Sequence, residues 1–371
     1  MNRMFYSLAL RLCAMMVVTS SGFAQTYKIV KLADGVYDAI GQNGVLANAQ
    51  FIVGQDDVIA IDTSYRPSWT KDEIAEIKKI TDKPVRYVIY THWHLDHIGG
   101  SQAFAEAYPN VQFIGQDLES KDQKEIELPR MAQLLVAKTP KQLQDIGVRY
   151  GAPGHIALLE KQMSDGKDAQ GRPLDDKSKA ALQNQIDQQK AFLAELPSIH
   201  PLRPTITYNN EMVLHQGLRE IRLLHYGKAH TRGDTFVYLP AEKIILGGDI
   251  IGGVPRGHDG YAAQFATALQ AVDQLDWTLG IPAHAPEAGF LHDHAMLKAD
   301  ISYLNDMVAQ VKACVAKGMD LEQTRAAMKL DAHAVAFGPQ FQDGSGAAVA
   351  RLWAELTKKT KSENGEPILG N

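Results

Sequence analysis

The 371-residue sequence is poor in cysteine, in long apolar runs and in excess positive charge. Two cysteines cannot build the disulfide framework of a small secreted scaffold. Beyond the N-terminal segment, no stretch approaches the ~18 consecutive apolar residues of a transmembrane helix, so we expect no membrane span. The formal net charge of −5 predicts no basic surface for nucleic acid. A composition of 45% hydrophobic and 22% charged residues excludes disordered classes and favours a globular fold.

The N-terminal segment has the pattern of a cleavable secretory signal. Arg3 and Arg11 come before the apolar run 12–18, and small residues stand three positions and one position before a predicted cut after Ala24. The sequence therefore predicts a signal peptide over residues 1–24 and a periplasmic or secreted protein. The alternative explanation of the same apolar run is a buried N-terminal helix.

Cleavage would also remove one of the two cysteines and two positive charges. The exported chain would have a formal net charge of −5 − 2 = −7 and a single thiol, Cys314. Cys314 lies on an apolar helical stripe, so we expect it to be a core residue and not a reactive thiol. The other members of the stripe are Ile301, Leu304, Met307, Val308 and Val311.

Short strand patterns alternate with helix patterns in two parts of the chain. The predicted strands are residues 36–40, 50–53, 58–62, 86–91, 111–114, 212–214, 220–224, 235–239, 243–246 and 278–281. The predicted helices are residues 101–107, 261–275, 293–317 and 347–359, and another that opens on a capping box from Thr70 to Glu73 with Trp69, Ile74, Ile77 and Ile80 on one face.

The layout of the two parts predicts an α+β fold of four layers. Each part has strands, then a strand that ends on potential metal ligands, then a helix, which suggests two sheets packed face to face with helices outside (αββα). A polar, Gln- and Lys-rich stretch of about 117–204 separates the two parts and predicts a helical insertion. We expect one domain over 25–371, with a helical C-terminal extension of about 296–371.

A cluster of potential metal ligands follows the predicted strand 86–91. His92, His94, Asp96 and His97 lie within six residues, and imidazole together with carboxylate suits zinc or iron. Side chains alternate along an extended segment, so His92, His94 and Asp96 are expected to point one way. His97 then needs a turn, for which the glycine pair 99–100 gives backbone freedom.

Three further potential ligands also lie where predicted strands meet loops. His230 follows strand 220–224, Asp249 ends the Gly-Gly-Asp after strand 243–246, and His284 follows strand 278–281. Mixed α/β enzymes place binding residues at such junctions because the strands hold them rigidly. The sequence therefore predicts that these residues join the first cluster.

These motifs resemble those of the metallo-β-lactamase superfamily, over roughly 28–117 and 205–295. The pattern His92-x-His94-x-Asp96-His97 followed by two glycines is specific, and its later partners come in the expected order. The resemblance implies a first metal site, a second metal site, a bridging acid and a supporting acid. Their residues are, in that order, His92, His94 and His230; Asp96, His97 and His284; Asp249; and Asp62.

The number of ligands agrees with two metal ions. Five imidazoles and two carboxylates exceed the four ligands that one tetrahedral ion normally takes. We expect two Zn²⁺, or other divalent ions, about 3.5–4 Å apart and joined by Asp249 and a bridging water or hydroxide. The bridging hydroxide would attack a substrate carbonyl, and Asp96 is a candidate proton acceptor.

The residue at position 249 separates subfamilies. Asp249 resembles the bridging acid of glyoxalase-II-type thioesterases and lactonases, whereas subclasses of true metallo-β-lactamases have Cys or Ser at that place. The resemblance therefore implies an exported zinc-dependent hydrolase of a small ester, thioester, lactone or amide, with β-lactams among the substrates to test. Arg232 and Arg256 are candidate anchors for an anionic substrate, and the insertion is expected to roof the site.

An alternative function on the same fold is an oxidoreductase. Relatives of the persulfide-dioxygenase type bind one iron with two imidazoles and one carboxylate, here His92, His230 and Asp249, and such a triad suits iron. The other eight histidines have no ligand spacing, although His225 and His258, with Tyr226, could lie near the pocket. The predicted partner is a small-molecule substrate and not nucleic acid, and the oligomeric state is left open.

Overall fold

The computed structural model describes residues 26–42, 45, 47–139, 141–142, 150–252, 260–284, 292–337, 346–361 and 368. The proposed signal peptide, Arg256 and His258 lie outside these residues. Among the described residues, no helix has both the length and the apolar character needed to cross a membrane.

Two β-sheets form the centre of the fold. The first has seven strands in chain order, and they are β1 (Tyr27–Ala33), β2 (Val36–Gly41), β3 (Ala49–Val53), β4 (Val58–Ile61), β5 (Val85–Ile89), β6 (Gln112–Gln116) and β7 (Ile206–Tyr208). The second has five strands in the order β12-β11-β10-β9-β8, and they are β8 (Glu211–Gln216), β9 (Arg219–Leu224), β10 (Phe236–Leu239), β11 (Ile244–Leu246) and β12 (Leu279–Ile281).

The described helices lie within, between and after the two runs of strands. They are α1 (Pro67–Ile80), α2 (Leu95–Ile98), α3 (Ser101–Ala107), α4 (Asp117–Asp122), α5 (Leu128–Leu134), α6 (Pro153–Asp165), α7 (Asp176–Glu195), α8 (Ala262–Asp273), α9 (His294–Ala316), α10 (Leu321–Ala327), α11 (Ala334–Phe337) and α12 (Gly346–Leu356). A π-helical turn, Gln123–Glu127, joins α4 to α5.

Three apolar layers hold the sheets and helices together. Side chains of both sheets meet in a central layer that includes Ile61 and Ile89 of the first sheet and Leu246 of the second. The outer face of the first sheet packs against α1 and α3, and the outer face of the second packs against α8, α9 and α12. The predicted α+β sandwich of four layers, αββα, is therefore confirmed. Cys314 is buried in the outer layer of the second sheet, as its apolar stripe predicted.

Parallel strand pairs bring the predicted ligands to one edge of the sandwich. β4 and β5 are parallel, and Asp62 and the His92 loop follow their carboxyl ends. β11 and β12 are also parallel, and they lead into Asp249 and His284. Backbone hydrogen bonds tie the two sheets together here, because Asn48 N donates to Ala283 O at 2.7 Å.

The first helix begins earlier than its capping-box signal predicts. α1 begins at Pro67, one turn before the predicted start at Thr70, and proline is tolerated there because its missing N–H would be unpaired anyway. Thr70 donates to the carbonyl of Thr63 instead of capping the helix, and Glu73 is buried. Ile80, predicted to lie on the apolar face, is 38% exposed. Strands β1 and β7 and helices α2, α10 and α11 were not predicted.

Asp38 provides a test of pH dependence away from the ligands. It lies on β2 beside Gln50, whose amide donates to it at 3.0 Å, and burial raises its pKa from 3.8 to about 7. The folded chain therefore binds this proton more tightly than the unfolded chain, and stability falls as the pH rises from about 4 to about 7. In metal-stripped protein, Asp38→Asn is expected to raise the free energy of unfolding at pH 8 by about 1–4 kcal/mol.

Urea unfolding at pH 4 and at pH 8 measures this difference. At pH 4 the variant and the parent should nearly agree, since Asp38 is protonated in the folded chain there. The exposed Asp82→Asn is the control and should change little at either pH. An equal gain at both pH values would show that the proton of Asp38 is not the cause.

Candidate metal centre

The first group of ligand side chains is drawn from both sheets. His92 and His94 lie in the loop after β5, His230 lies in the loop between β9 and β10, and Asp249 follows β11. Nδ1 of His94 lies 3.0 Å from Nε2 of His92 and 2.9 Å from Nε2 of His230. One ligand atom from each of these four residues lies within 4.8 Å of the others. Three of the residues are buried and His94 is partly buried.

The second group lies beside the first and is closer to solvent. Asp96 and His97 are in the short helix α2, and His284 follows β12. Oδ2 of Asp96 lies 3.2 Å from Nε2 of His284 and 3.5 Å from Nε2 of His97. The side chains of His284 and Asp96 are 36% and 19% exposed, whereas that of His97 is fully buried. Among the described ligand residues, His284 and Asp96 are therefore on the side of the two groups that faces solvent.

Asp249 lies between the two groups. Its Oδ2 is 3.5 Å from Nε2 of His230 and 3.9 Å from Nε2 of His92. Its Oδ1 is 3.3 Å from Nε2 of His97 and 3.2 Å from Nε2 of His284. Each carboxylate oxygen thus faces a different group, which is the arrangement that a bridging ligand requires.

Two imidazoles of the first group are held in the neutral form, which is the form that binds a metal cation. Burial, reinforced by neighbouring imidazoles, holds the pKa of His92 and of His94 well below the usual histidine value. Neutral imidazoles whose nitrogens converge to 3.0 Å or less repel each other unless a proton or a metal lies between them. Ligand atoms around one tetrahedral zinc are roughly 3.3 Å apart, so the spacing fits a metal ion.

The second group has the opposite charge balance. Burial alone would lower the pKa of His97 and of His284, but the carboxylates of Asp96 and Asp249 raise it well above the usual value. Among the described residues, Nε2 of His97 and Oδ1 of Asp249 are buried without a hydrogen-bond partner of good geometry. A divalent ion would satisfy both atoms by displacing protons from the imidazoles.

Two details of the first ligand loop differ from the sequence-based expectation. Asp96 does not point with His92 and His94, because the chain turns into α2 at Leu95 and directs Asp96 towards His284. The glycine pair does not use left-handed backbone angles: φ of Gly100 is −90°. A Cβ at Gly100 would instead lie 2.2 Å from the carbonyl oxygen of Thr63, so close packing requires the glycine there.

Asp62 contacts His97 directly and contacts the His92 loop through Thr91. Its carboxylate accepts from the backbone N–H and from the hydroxyl of Thr91, each at 2.8 Å, and faces Nδ1 of His97 at 2.8 Å. The hydroxyl of Thr91 also lies 3.1 Å from Nδ1 of His92. Asp62 has a left-handed backbone conformation, φ 63°, which costs energy in a non-glycine residue. Such contacts fix the tautomer and the orientation of a metal-binding imidazole.

Asp62→Asn tests this supporting role. The amide nitrogen would face donors, so His97 would lose the acceptor that holds Nδ1 protonated and Nε2 free to bind. We expect the affinity of the second group for Zn²⁺ to fall about 10- to 100-fold. Competition between the protein and a chromophoric chelator measures it, and Asp38→Asn is the matched buried control. Unchanged Zn²⁺ affinity in Asp62→Asn would contradict this role.

The other described candidate residues have partners outside the two groups of ligands. Arg232 is buried against Asp122, with Nε 2.8 Å from both carboxylate oxygens, so the expectation that it anchors a substrate is wrong. Nδ1 of His225 lies 2.8 Å from the carbonyl oxygen of Asp234, and Tyr226 packs on Phe236. No other histidine in the described ranges joins either group.

Sequence reasoning missed several residues that contact the ligand loops or the residues next to the ligands. Thr91 is one, and its place between Asp62 and His92 had no signal beyond its position at the end of a strand. Asp122 and Arg130 are two more, and both lie in the segment that was interpreted only as an insertion. Their partners are more than 30 residues away along the chain, which no local pattern reveals.

Comparison with protein families gives a match over most of the chain. The family model described as the metallo-beta-lactamase superfamily matches residues 43–304. Over 53 residues, the chain is also 40% identical to the linear primary-alkylsulfatase of Pseudomonas sp. (strain ATCC 19151). That alignment covers 14% of this chain and only 10% of the curated relative.

Solved structures similar to this chain include three metallo-beta-lactamases. One, from Pontibacter korlensis, is 16% identical, with 75% of this chain and 99% of that chain covered and a TM-score of 0.48. FIM-1 from Pseudomonas aeruginosa, in its mono-zinc form, is 17% identical, with coverages of 75% and 95% and a TM-score of 0.48. One from Erythrobacter litoralis is 18% identical, with coverages of 76% and 98% and a TM-score of 0.49.

Proposed function

The chain belongs to the metallo-beta-lactamase superfamily, and from that premise we propose that it is a zinc-dependent hydrolase with two metal ions. The proposed substrates are small esters, thioesters, lactones or amides. The observation that carries the proposal is the position of Asp249, whose two oxygens face the two groups of ligands at 3.2–3.9 Å. A carboxylate so placed can bind two ions at once.

Each group of residues has a separate task in this proposal. His92, His94 and His230 would hold the first ion in a buried pocket, and Asp96, His97 and His284 would hold the second ion near solvent. Two divalent ions bound there would polarise the scissile bond and lower the pKa of a shared water towards about 7. Asp96 is the more exposed of the two carboxylates, since its side chain is 19% exposed and that of Asp249 is 4% exposed. It is the proposed proton acceptor.

The local similarity to an alkylsulfatase adds a second substrate class. The 53-residue match is to a protein named for the hydrolysis of alkyl sulfates, so sulfate esters join carbonyl substrates among those to be tested. Attack on sulfur and attack on a carbonyl carbon would both use the same set of metal ligands. The family assignment leaves the substrate class open, because specificity depends on the loops around the site.

An iron oxidoreductase of the persulfide-dioxygenase type is the competing function. It would need His92, His230 and Asp249 alone, whereas here Asp96, His97 and His284 form a second group of ligands. A second group is superfluous for one iron and necessary for two zinc ions. This observation favours the hydrolase.

The test is a substrate panel run on metal-quantified protein. The panel contains aryl esters, thioesters, lactones, β-lactams and alkyl sulfates, each assayed before and after chelation and again after Zn²⁺ is restored. We expect about two Zn²⁺ per chain and hydrolysis of at least one class that chelation abolishes and Zn²⁺ restores. Iron as the dominant metal, or hydrolysis that survives complete metal removal, would overturn the proposal.

We also propose that the protein is exported, on the basis of the signal-like pattern of residues 1–24. The expected result is a chain whose N-terminus begins at Gln25 and which separates with the periplasmic or secreted fraction of the cell. Intact-mass measurement and cell fractionation check this. An uncleaved chain in the cytosolic fraction would contradict export without affecting the proposed hydrolysis.

A further inference from the structure

One helix of the insertion contacts the loop that carries His230. Asp122, at the end of α4, accepts from Nε of Arg232 with both carboxylate oxygens at 2.8 Å, and the two side chains are 1% and 6% exposed. Arg232 is two residues after His230. Next to it, a Cβ at Gly233 would lie 2.2 Å from the backbone nitrogen of Glu119, so the loop packs directly on α4. The end of α4 therefore restrains the His230 loop by charge and by close packing.

The continuation of the same helix contacts the other ligand loop. On α5, the guanidinium of Arg130 lies over the ring of Trp93, 4.8 Å from its centroid, and is paired with Glu127 at 2.8 Å. Trp93 stands between His92 and His94 in the chain, and its ring packs edge-on against that of His94 at 4.3 Å between centroids. Trp93 and Arg130 are both buried. The helix thus restrains the first ligand loop as well.

A π-helical turn separates these two contacts. Residues 117–134, which we call the bridging helix, run from α4 through the π-turn Gln123–Glu127 into α5. A π-turn inserts an extra residue and rotates the helix face that follows it, and such turns are frequent at functional sites. Here Asp122 comes just before the turn and Arg130 comes after it, so one helix can direct side chains to two different loops.

We propose that the bridging helix positions His94 and His230 relative to each other and thereby sets the metal affinity of the first group. The two imidazoles come from different sheets, yet their nitrogens are 2.9 Å apart. Asp122 restrains His230 through Arg232. Arg130 restrains His94 through Trp93. Both are positioning residues and not ligands. The inference rests on the metal binding in the proposed function.

A purely structural role has to be separated from this one. Removing one partner of a buried ion pair is strongly destabilising anywhere in a protein, because it leaves the other charge uncompensated. Arg219 and Glu242 form a comparable pair at 2.7 Å, with side chains 17% and 14% exposed, and neither is a contact of the ligands. Glu242→Gln is therefore the control for loss of stability without loss of positioning.

The experiment titrates Co²⁺ alone into metal-stripped full-length chain and follows its visible absorption. The variants are Asp122→Asn and Arg130→Gln, which change opposite ends of the bridging helix. A third variant, His230→Ala, assigns the two binding steps, because the Co²⁺-binding step that it loses is the step of the first group. We expect the first-group affinity to fall about 10- to 100-fold in both variants, with a changed absorption band, while the second-group affinity stays the same. Glu242→Gln should bind both ions as the parent does.

Two results would overturn the inference. One is parent-like binding of both ions in Asp122→Asn and Arg130→Gln. The other is an equal weakening of both steps that matches the loss of thermal stability in the metal-free variants and in Glu242→Gln. A parent chain that binds no Co²⁺ at all would instead overturn the proposed function, and this inference with it.

Discussion

Asp249→Ala is expected to lower the kcat/KM for hydrolysis by about 100- to 10,000-fold and to leave the chain with one bound ion or none. Asp249 is 4% exposed, and both of its oxygens face imidazoles of the two groups. Alanine would leave those imidazoles without a shared anion, so two cations could not approach each other without strong repulsion. A loss of several kcal/mol of transition-state stabilisation corresponds to that range of rates.

The matched control is Asp38→Ala, because Asp38 is also an aspartate that is 4% exposed. Its described side-chain contact is to Gln50, so the variant should keep its metal and most of its activity. Steady-state kinetics and metal quantification, made on the same samples of Asp249→Ala and Asp38→Ala, measure the difference between the two variants. Full activity in Asp249→Ala, with two ions still bound, would refute the bridging role.

Removing the metal is expected to lower the Tm by roughly 3–4 °C for each ion. A ligand present at 100 times its Kd stabilises the folded chain by about 2.7 kcal/mol. At an unfolding entropy of about 2.1 cal/mol/K per residue, 1 kcal/mol shifts the Tm of a chain of this length by about 1.3 °C. The described residues contain a free cysteine, Cys314, and no disulfide. A metal ion bound at the ligand groups would add its binding free energy to the stability that the apolar layers provide.

Differential scanning calorimetry with and without chelator measures this shift. Zn²⁺ added back should restore the original Tm. In Asp249→Ala the chelator should produce a much smaller shift, because little metal is bound to begin with. An equal Tm before and after complete metal removal would contradict the stabilising role of the ions.

Most of the strands could be predicted from the sequence because their patterns are local. β4 is a continuous apolar run and β5 is rich in β-branched and aromatic residues, and their predicted positions agree with the structure within about two residues. β1 and β7 were missed for different physical reasons. β1 mixes lysines with apolar residues as an edge strand does, and β7 has only three residues, too few for any period.

Local signals failed where tertiary contacts outweigh them. Thr70 and Glu73 match a capping box, yet α1 begins at Pro67 because the preceding residues are already ordered against the core. Asp96 was expected to share a face with His92, but one helical turn, α2, redirects it. In both cases the pattern was correct as a local preference, and the surrounding packing chose another conformation.

The sequence by itself determined which residues are available as metal ligands and the family to which the chain belongs. The motif from His92 to His97 keeps its ligands within six positions, so no long-range information is needed to recognise it. It also determined the four-layer fold, because most of the strands and the longer helices carry their own apolar pattern. The ligand motif and the strand and helix patterns depend only on residues that are close together along the chain.

Only the tertiary structure decided how closely the ligands approach each other and which residues hold them in place. His94 and His230 are 136 residues apart, and their 2.9 Å contact exists because the two sheets pack face to face. The same packing buries Arg232 against Asp122 and turns an expected substrate anchor into a restraint on a ligand loop. The burial of a side chain and the distance between remote segments are properties of the packed chain. At this site they determine the protonation of the ligand imidazoles, the exposure of the second group to solvent and the positions of the ligand loops.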